Sequence, residues 1–205
     1  MFKIHNLNIY SQSKKILHIN ELLINAGTFV YVYGGNSTGK SIFLSSIGGF
    51  YGNFDGTMTF KNQKLKPNTK HNNILMINNE LPVIEYMTFL ENIEIPLGKN
   101  NLKVKKRLLE MASIVDIIDL LNVKMVYCSR SERVLMYLVR AALVNPYILL
   151  IDDLDTFFDA EKLKNVQQLL SYFLSSGMSI IATGKTVLEN VCTYCISNSI
   201  LKKVI

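Results

Sequence analysis

Gly34-Gly35-Asn36-Ser37-Thr38-Gly39-Lys40-Ser41 fits the pattern G-x-x-x-x-G-K-[ST] with no mismatch. The residues before it, Thr28-Phe29-Val30-Tyr31-Val32-Tyr33, are aromatic and β-branched and predict a strand. The residues after it, from Lys40 through Ile47, predict a helix closed by Gly48-Gly49. A strand, a glycine loop and a helix N-terminus in that order form a cradle for phosphate. Glycine lets the backbone turn tightly, successive N–H groups face the anion, and the helix dipole favours negative charge there. Gly34, Gly35, Asn36, Ser37, Thr38, Gly39, Lys40 and Ser41 are therefore the expected nucleotide-binding residues. Lys40 would reach the β- and γ-phosphates and the Ser41 hydroxyl would ligate Mg²⁺.

Such a loop needs a second element, an apolar strand ending in an acid that holds Mg²⁺ through water. Ile148-Leu149-Leu150-Ile151-Asp152 supplies it, with Asp153 directly following. Two carboxylates at the end of a buried strand are costly unless a metal or an attacking water uses them. Asp152 is the expected Mg²⁺-associated acid, and Asp153 the expected catalytic residue that polarises the water. For Asp153 an ordinary strand running into a polar loop is the competing explanation.

Strand-like segments recur at residues 3–9, 28–33, 56–60, 73–77, 147–151, 178–183 and 194–197. From residue 147 onward they alternate with helical segments at 160–174 and 186–191, which argues a parallel sheet with crossover helices. Between the two strand-rich portions, Val104, Leu108, Met111, Val115, Ile118 and Leu121 recur at helical spacing. The expected architecture is α/β, a P-loop core at about residues 1–80 and 144–205 with a helical subdomain at about 81–143. All 205 residues form one domain in this reading.

Hydrophobic residues make up 49% of the chain, enough for a core, yet none of its stretches stays apolar for about 18 residues. The first six residues alternate in polarity and lack a signal peptide's apolar core. The expected location is therefore cytoplasmic. The net charge of +6 comes from basic clusters without interleaved aromatics, so direct nucleic-acid binding is not expected. Cys192-Thr193-Tyr194-Cys195 has the spacing of half a zinc site, and no second ligand pair exists. Cys128, Cys192 and Cys195 read as structural.

The order of the glycine loop, the helical insert, Asn145-Pro146 and the 148–153 strand resembles an ABC-type ATP-binding domain across nearly the whole chain. Within that family it looks most like the small subunits serving cell division (the FtsE type), lipoprotein release and macrolide export. The segments Thr88-Phe89-Leu90-Glu91-Asn92-Ile93-Glu94-Ile95-Pro96-Leu97 and Arg140-Ala141-Ala142-Leu143-Val144-Asn145-Pro146 carry that narrower likeness. The resemblance implies ATP and Mg²⁺ as cofactors and Tyr10 as the ring stacked on adenine. Its other implications concern partners: a homodimer, or a heterodimer with a related subunit, and an integral-membrane permease-like partner. The protein would then sit peripherally on the inner face of the cell membrane.

Several positions depart from the family pattern. Cys128-Ser129-Arg130-Ser131-Glu132 falls on the LSGGQ-like signature, where only Ser129 and the acid survive. The Q-loop position falls on Asn79, or on Asn78 beside it; the catalytic Glu becomes Asp153; the switch-loop His becomes Gly184. The D-loop reads Thr156-Phe157-Phe158-Asp159. What is retained holds nucleotide and Mg²⁺, and what is altered assists γ-phosphate cleavage or dimer closure. A displacement of about 1 Å in a positioned group can cost on the order of 100-fold in rate, so slow hydrolysis is expected. The alternative is a non-hydrolysing regulatory or scaffold module with ATP as a structural ligand. Nucleic-acid-acting relatives are a third class, disfavoured here by the lack of a second domain or long coiled-coil insertion.

Overall fold

The structure is a computed structural model that describes residues 1–78, 80, 82–97, 102–158, 160–188 and 191–204. Strand β3 (Phe29–Tyr33) runs through the glycine loop into helix α1 (Lys40–Gly48), as the sequence predicts. Around β3, strands β6 (Ile74–Ile77), β7 (Ile148–Ile151), β8 (Ser179–Gly184) and β9 (Cys192–Ser197) all run parallel to it. β7 and β8 are buried along their whole length, the pattern of strands covered by helices on both faces.

The side chains divide by the strand period of two. Tyr31, Leu149, Ile151, Ile180 and Ala182 face one core, shared with helices of the insert and with α5 (Ala160–Ser175). Val30, Val32, Ile148, Leu150 and Ile181 face the other, shared with α1 and with a second set of strands. That second set is β1 (Phe2–Ser11), β2 (Lys14–Ile24), β4 (Phe54–Phe60) and β5 (Gln63–Lys64), paired antiparallel. Strand β10 (Ile200–Lys203) joins the two sets, lying antiparallel to β9 and touching β2 at Ile200 and His18. The result is one mixed ten-stranded sheet, not a purely parallel one.

The insert holds α2 (Phe89–Glu94), α3 (Leu102–Ile114) and α4 (Arg130–Val144). The apolar period from Val104 to Leu121 overstates one helix. α3 stops at Ile114, Asp116 takes a left-handed φ of 54°, and Ile118 is exposed in a short 3₁₀ turn. The helix expected at 186–191 is absent among the described residues, where Thr186 to Leu188 run as a bend and an irregular segment. β2, β5 and β10 carried no strong strand signal. β2 follows a turn at Gln12, φ 53°, without the Gly or Pro that marks a hairpin.

Candidate nucleotide site

The glycine loop has the local geometry its composition predicts. Gly39 is the N-cap of α1 at φ 97°, a left-handed value that favours glycine, and no side chain caps the helix. The first N–H groups of α1 are left for an anion, apart from that of Phe43, which donates to Gly39 O. Gly34 is needed for space: a Cβ there would lie 2.9 Å from Thr38 Oγ1 and 3.2 Å from Ile196 O. Thr38 Oγ1 donates to Gly35 O at 2.9 Å, which tightens the turn. Gly35, Asn36 and Ser37 are exposed at its crest, Ser37 with φ 59°.

Lys40 is 6% exposed, and its Nζ donates to Gly34 O and Gly35 O, both at 2.8 Å. A buried ammonium held by neutral carbonyls beside open backbone N–H groups is a cation positioned for an anion. Asp152, 4% exposed, follows the last residue of β7. Thr183 Oγ1 donates to Asp152 Oδ1 at 2.6 Å and accepts from the Asp153 N–H at 3.0 Å. One threonine near the end of β8 therefore holds the Asp152 carboxylate and the Asp153 backbone. Asp153 adopts φ 52° and ψ 48°, so the chain turns sharply after β7.

Ser41, Asn78 and Asp152 line one cavity of about 850 Å³, with Lys70, Glu80 and Tyr137 on its wall. A hydroxyl and a carboxylate are hard oxygen donors, and no cluster of three or more metal-ligating side chains stands among the described residues. That donor set fits Mg²⁺ completed by phosphate and water, and does not fit zinc. Thr183, Lys70 and Tyr137 were not singled out by sequence. Thr183 carried only the weak signal of a strand-end threonine beside the expected switch position.

Other expected residues do not line that cavity. Tyr10, at the end of β1, donates its hydroxyl to Asp55 Oδ2 at 2.8 Å, and its carbonyl accepts from the Tyr51 hydroxyl. That bond to Asp55 raises the Tyr10 hydroxyl above its ordinary pKa, and the Asn8 and Tyr10 bonds lower the Asp55 carboxyl. Ser129 is the N-cap of α4 in a capping box with Glu132, its N–H donating to Glu132 Oε2 at 2.6 Å. Arg130 lies over the Phe157 ring at 5.3 Å, linking the start of α4 to the segment after Asp153. Asn79 and Asp159 lie outside the described residues.

A family model described as ABC transporter matches residues 17–155, more than half of the chain. The chain belongs to the ABC transporter family. It is similar to the methionine import ATP-binding protein MetN of Clostridioides difficile strain 630, 26% identical over 204 residues. That match covers 94% of this chain and 64% of the relative. The tyrosine transport ATP-binding protein of C. difficile strain R20291 is 26% identical over 190 residues, covering 82% and 75%. The chain thus spans about three fifths of the length of the first curated relatives, 64% and 60%. A solved ATP-binding subunit of an ABC transporter superposes with a TM-score of 0.85 at 17% identity, covering 100% of this chain and 89% of that one. A dimeric ATP-binding cassette bound to ADP and Pi gives 0.80 at 23%, covering 99% and 98%. These likenesses establish an ABC ATPase fold with its P-loop core.

Within this ABC-type domain, the expected departure at 184 has a physical cause. A Cβ at Gly184 would stand 1.8 Å from Tyr31 Oη, so a histidine cannot be restored there by one substitution.

Proposed function

We propose that this chain is the ATP-binding subunit of an ABC transporter-like membrane complex. Mg-ATP would lie on residues 34–41, with Ser41 and Asp152 holding the metal and Tyr10 stacking on adenine. Mg²⁺ supplies neutralisation of phosphate charge when bound. The observation that carries this reading is the buried Lys40 ammonium held on the loop carbonyls of Gly34 and Gly35, with the next residue, Ser41, lining one cavity with Asp152.

Lys40 would orient the phosphates, Asp152 is fixed by Thr183, and Asp153 is the acid that would polarise the attacking water. Asp153 carries one methylene fewer than glutamate, and residue 184 contributes no side chain, so turnover is slow. The subunit closes as a homodimer or with a related chain. It docks on an integral-membrane partner, which places it at the inner face of the cell membrane. The cell-division pattern of residues 88–97 and 140–146 favours a partner of that type; the amino-acid transport named for the curated relatives makes an importer the rival. Co-purification from native membranes, followed by identification of the permease, decides between them.

A second reading, a nucleotide-binding module that does not hydrolyse, is favoured by the closed space over Gly184 and by Arg130 on the signature segment. Calorimetry tests the shared premise. Wild-type protein binds Mg-ATP below millimolar concentration, and Lys40→Ala weakens it at least about tenfold, about 1.4 kcal/mol. No binding at millimolar nucleotide sinks both readings. Turnover near the usual enzyme scale of about 10 s⁻¹ sinks the expectation of slow hydrolysis.

A further inference from the structure

Tyr31 is fully buried on β3, and its hydroxyl makes no hydrogen bond of ordinary distance and angle, with Thr186 and the Asp155 carboxylate standing beside it. Asp155 Oδ1 is also buried and unpartnered. Asp155 Oδ2 is saturated, accepting from the Lys185 N–H at 2.8 Å, the Thr186 N–H at 2.9 Å and the Thr186 hydroxyl at 2.9 Å. The two unpartnered atoms converge on one point. A Cβ built on Gly184 would meet Tyr31 Oη at 1.8 Å and Asp155 Oδ1 at 2.7 Å.

Gly184 is not among the glycines with positive φ, so its backbone does not demand glycine. The occupied volume does. The Asp155 carboxylate is held by its other oxygen, and the Tyr31 hydroxyl, the nearer of the two, ends a rigid ring packed in the core. Gly184 is also wired into the site on both sides. Its carbonyl accepts from the Gly34 N–H at 3.3 Å, at the first residue of the glycine loop. Thr183, its neighbour, holds Asp152 and Asp153.

We propose that Tyr31 and Asp155 are positioning residues that hold residues 184–186 in one place, in nucleotide-free and nucleotide-bound protein alike. Asp155 binds the two amides, and Tyr31 fills the space that a side chain at 184 would need. With that segment fixed, Thr183 stays on the two acids and Gly184 stays on the glycine loop. The segment therefore does not respond to nucleotide. Only this last consequence rests on the proposed nucleotide site.

Thermal unfolding of Gly184→Ala, Tyr31→Phe and the double variant tests the first half. Gly184→Ala should be strongly destabilised, Tyr31→Phe should fold at least as well as wild type, and the double variant should recover part of the loss, the contact with Asp155 remaining. An equal penalty for Gly184→Ala in both backgrounds would show that the hydroxyl is not what excludes the side chain. Amide hydrogen exchange tests the second half. Asp155→Ala should speed exchange at Lys185 and Thr186 by at least about tenfold. In wild type, protection of those two amides should be the same without nucleotide and with saturating Mg-ATP. Protection that rises with Mg-ATP, or is unmoved in Asp155→Ala, overturns the proposal. Failure of calorimetric binding would instead refute the nucleotide reading, while the unfolding cycle and the nucleotide-free exchange still decide the roles of Tyr31 and Asp155.

Discussion

Thr183 is a small side chain with a disproportionate task. Its hydroxyl is donor to Asp152 and acceptor for the Asp153 amide, so Thr183→Val, nearly the same shape, leaves both without that partner. The expected cost is about 1–3 kcal/mol in thermal unfolding, with Thr183→Ser restoring most of it. A valine variant as stable as wild type would show the two bonds to be unimportant. Tyr31 gives a pH signature. Burial first, and the Asp155 carboxylate next, raise its hydroxyl well above the ordinary tyrosine value. The folded chain then keeps a proton that the unfolded chain loses as pH rises through about 10. Stability is fully present below that pH and falls above it, by up to about 1.4 kcal/mol per pH unit for one such group. Tyr31→Phe should decline less steeply than wild type in denaturant titrations above pH 10, and parallel declines would contradict the assignment. The contrast with the glycine loop explains what could be read from sequence. Residues 34–41 and 148–153 act through neighbours a few positions away, so their chemistry is written as a spacing. Thr183, Tyr31 and Asp155 act on residues about thirty or more positions distant, and only the pairing of β3, β7 and β8 brings them together.

At the scale of elements, both capped helices of the insert begin with the same device. Thr88 with Glu91 starts α2, and Ser129 with Glu132 starts α4, each side chain bonding the other residue's backbone. The second box falls on the degenerate signature segment, so Ser129 has structural work within its own chain. Ser129→Ala should cost about 1 kcal/mol of stability. Because Ser129 does not line the cavity of Ser41 and Asp152, ATP affinity of the isolated chain should be unchanged. A marked loss of affinity in that variant would place Ser129 in its own chain's nucleotide site. Helix periodicity was a poor guide to where α3 ends. Apolar residues at 118 and 121 continue the pattern of α3, yet Asp116 breaks the helix and the pattern resumes only in the turn beyond it.

For the whole molecule, the deciding question is how two copies meet. Arg130 stands where the family pattern has glycine, and its guanidinium lies over Phe157 of the same chain. If its bulk obstructs closure, as we expect, Arg130→Gly should strengthen dimerisation with Mg-ATP in sedimentation. A weaker dimer in the variant would mean that the arginine contributes to the contact, a charge-assisted bond of about 1.5–3 kcal/mol. The α/β class and the inserted helices were legible because glycine loop, apolar strand and amphipathic helix are each local patterns. The mixed sheet was not, because it depends on β10, four residues that pair across almost the full length of the chain. That strand has a consequence for the order of synthesis. β1, β2 and β4 are synthesised long before β10 and can pair with one another before it, but β2 meets its partner at His18 only once Ile200 emerges. Until then the nascent chain carries the β2 edge at His18 without its neighbour, the kind of surface on which misassembly begins and chaperones act.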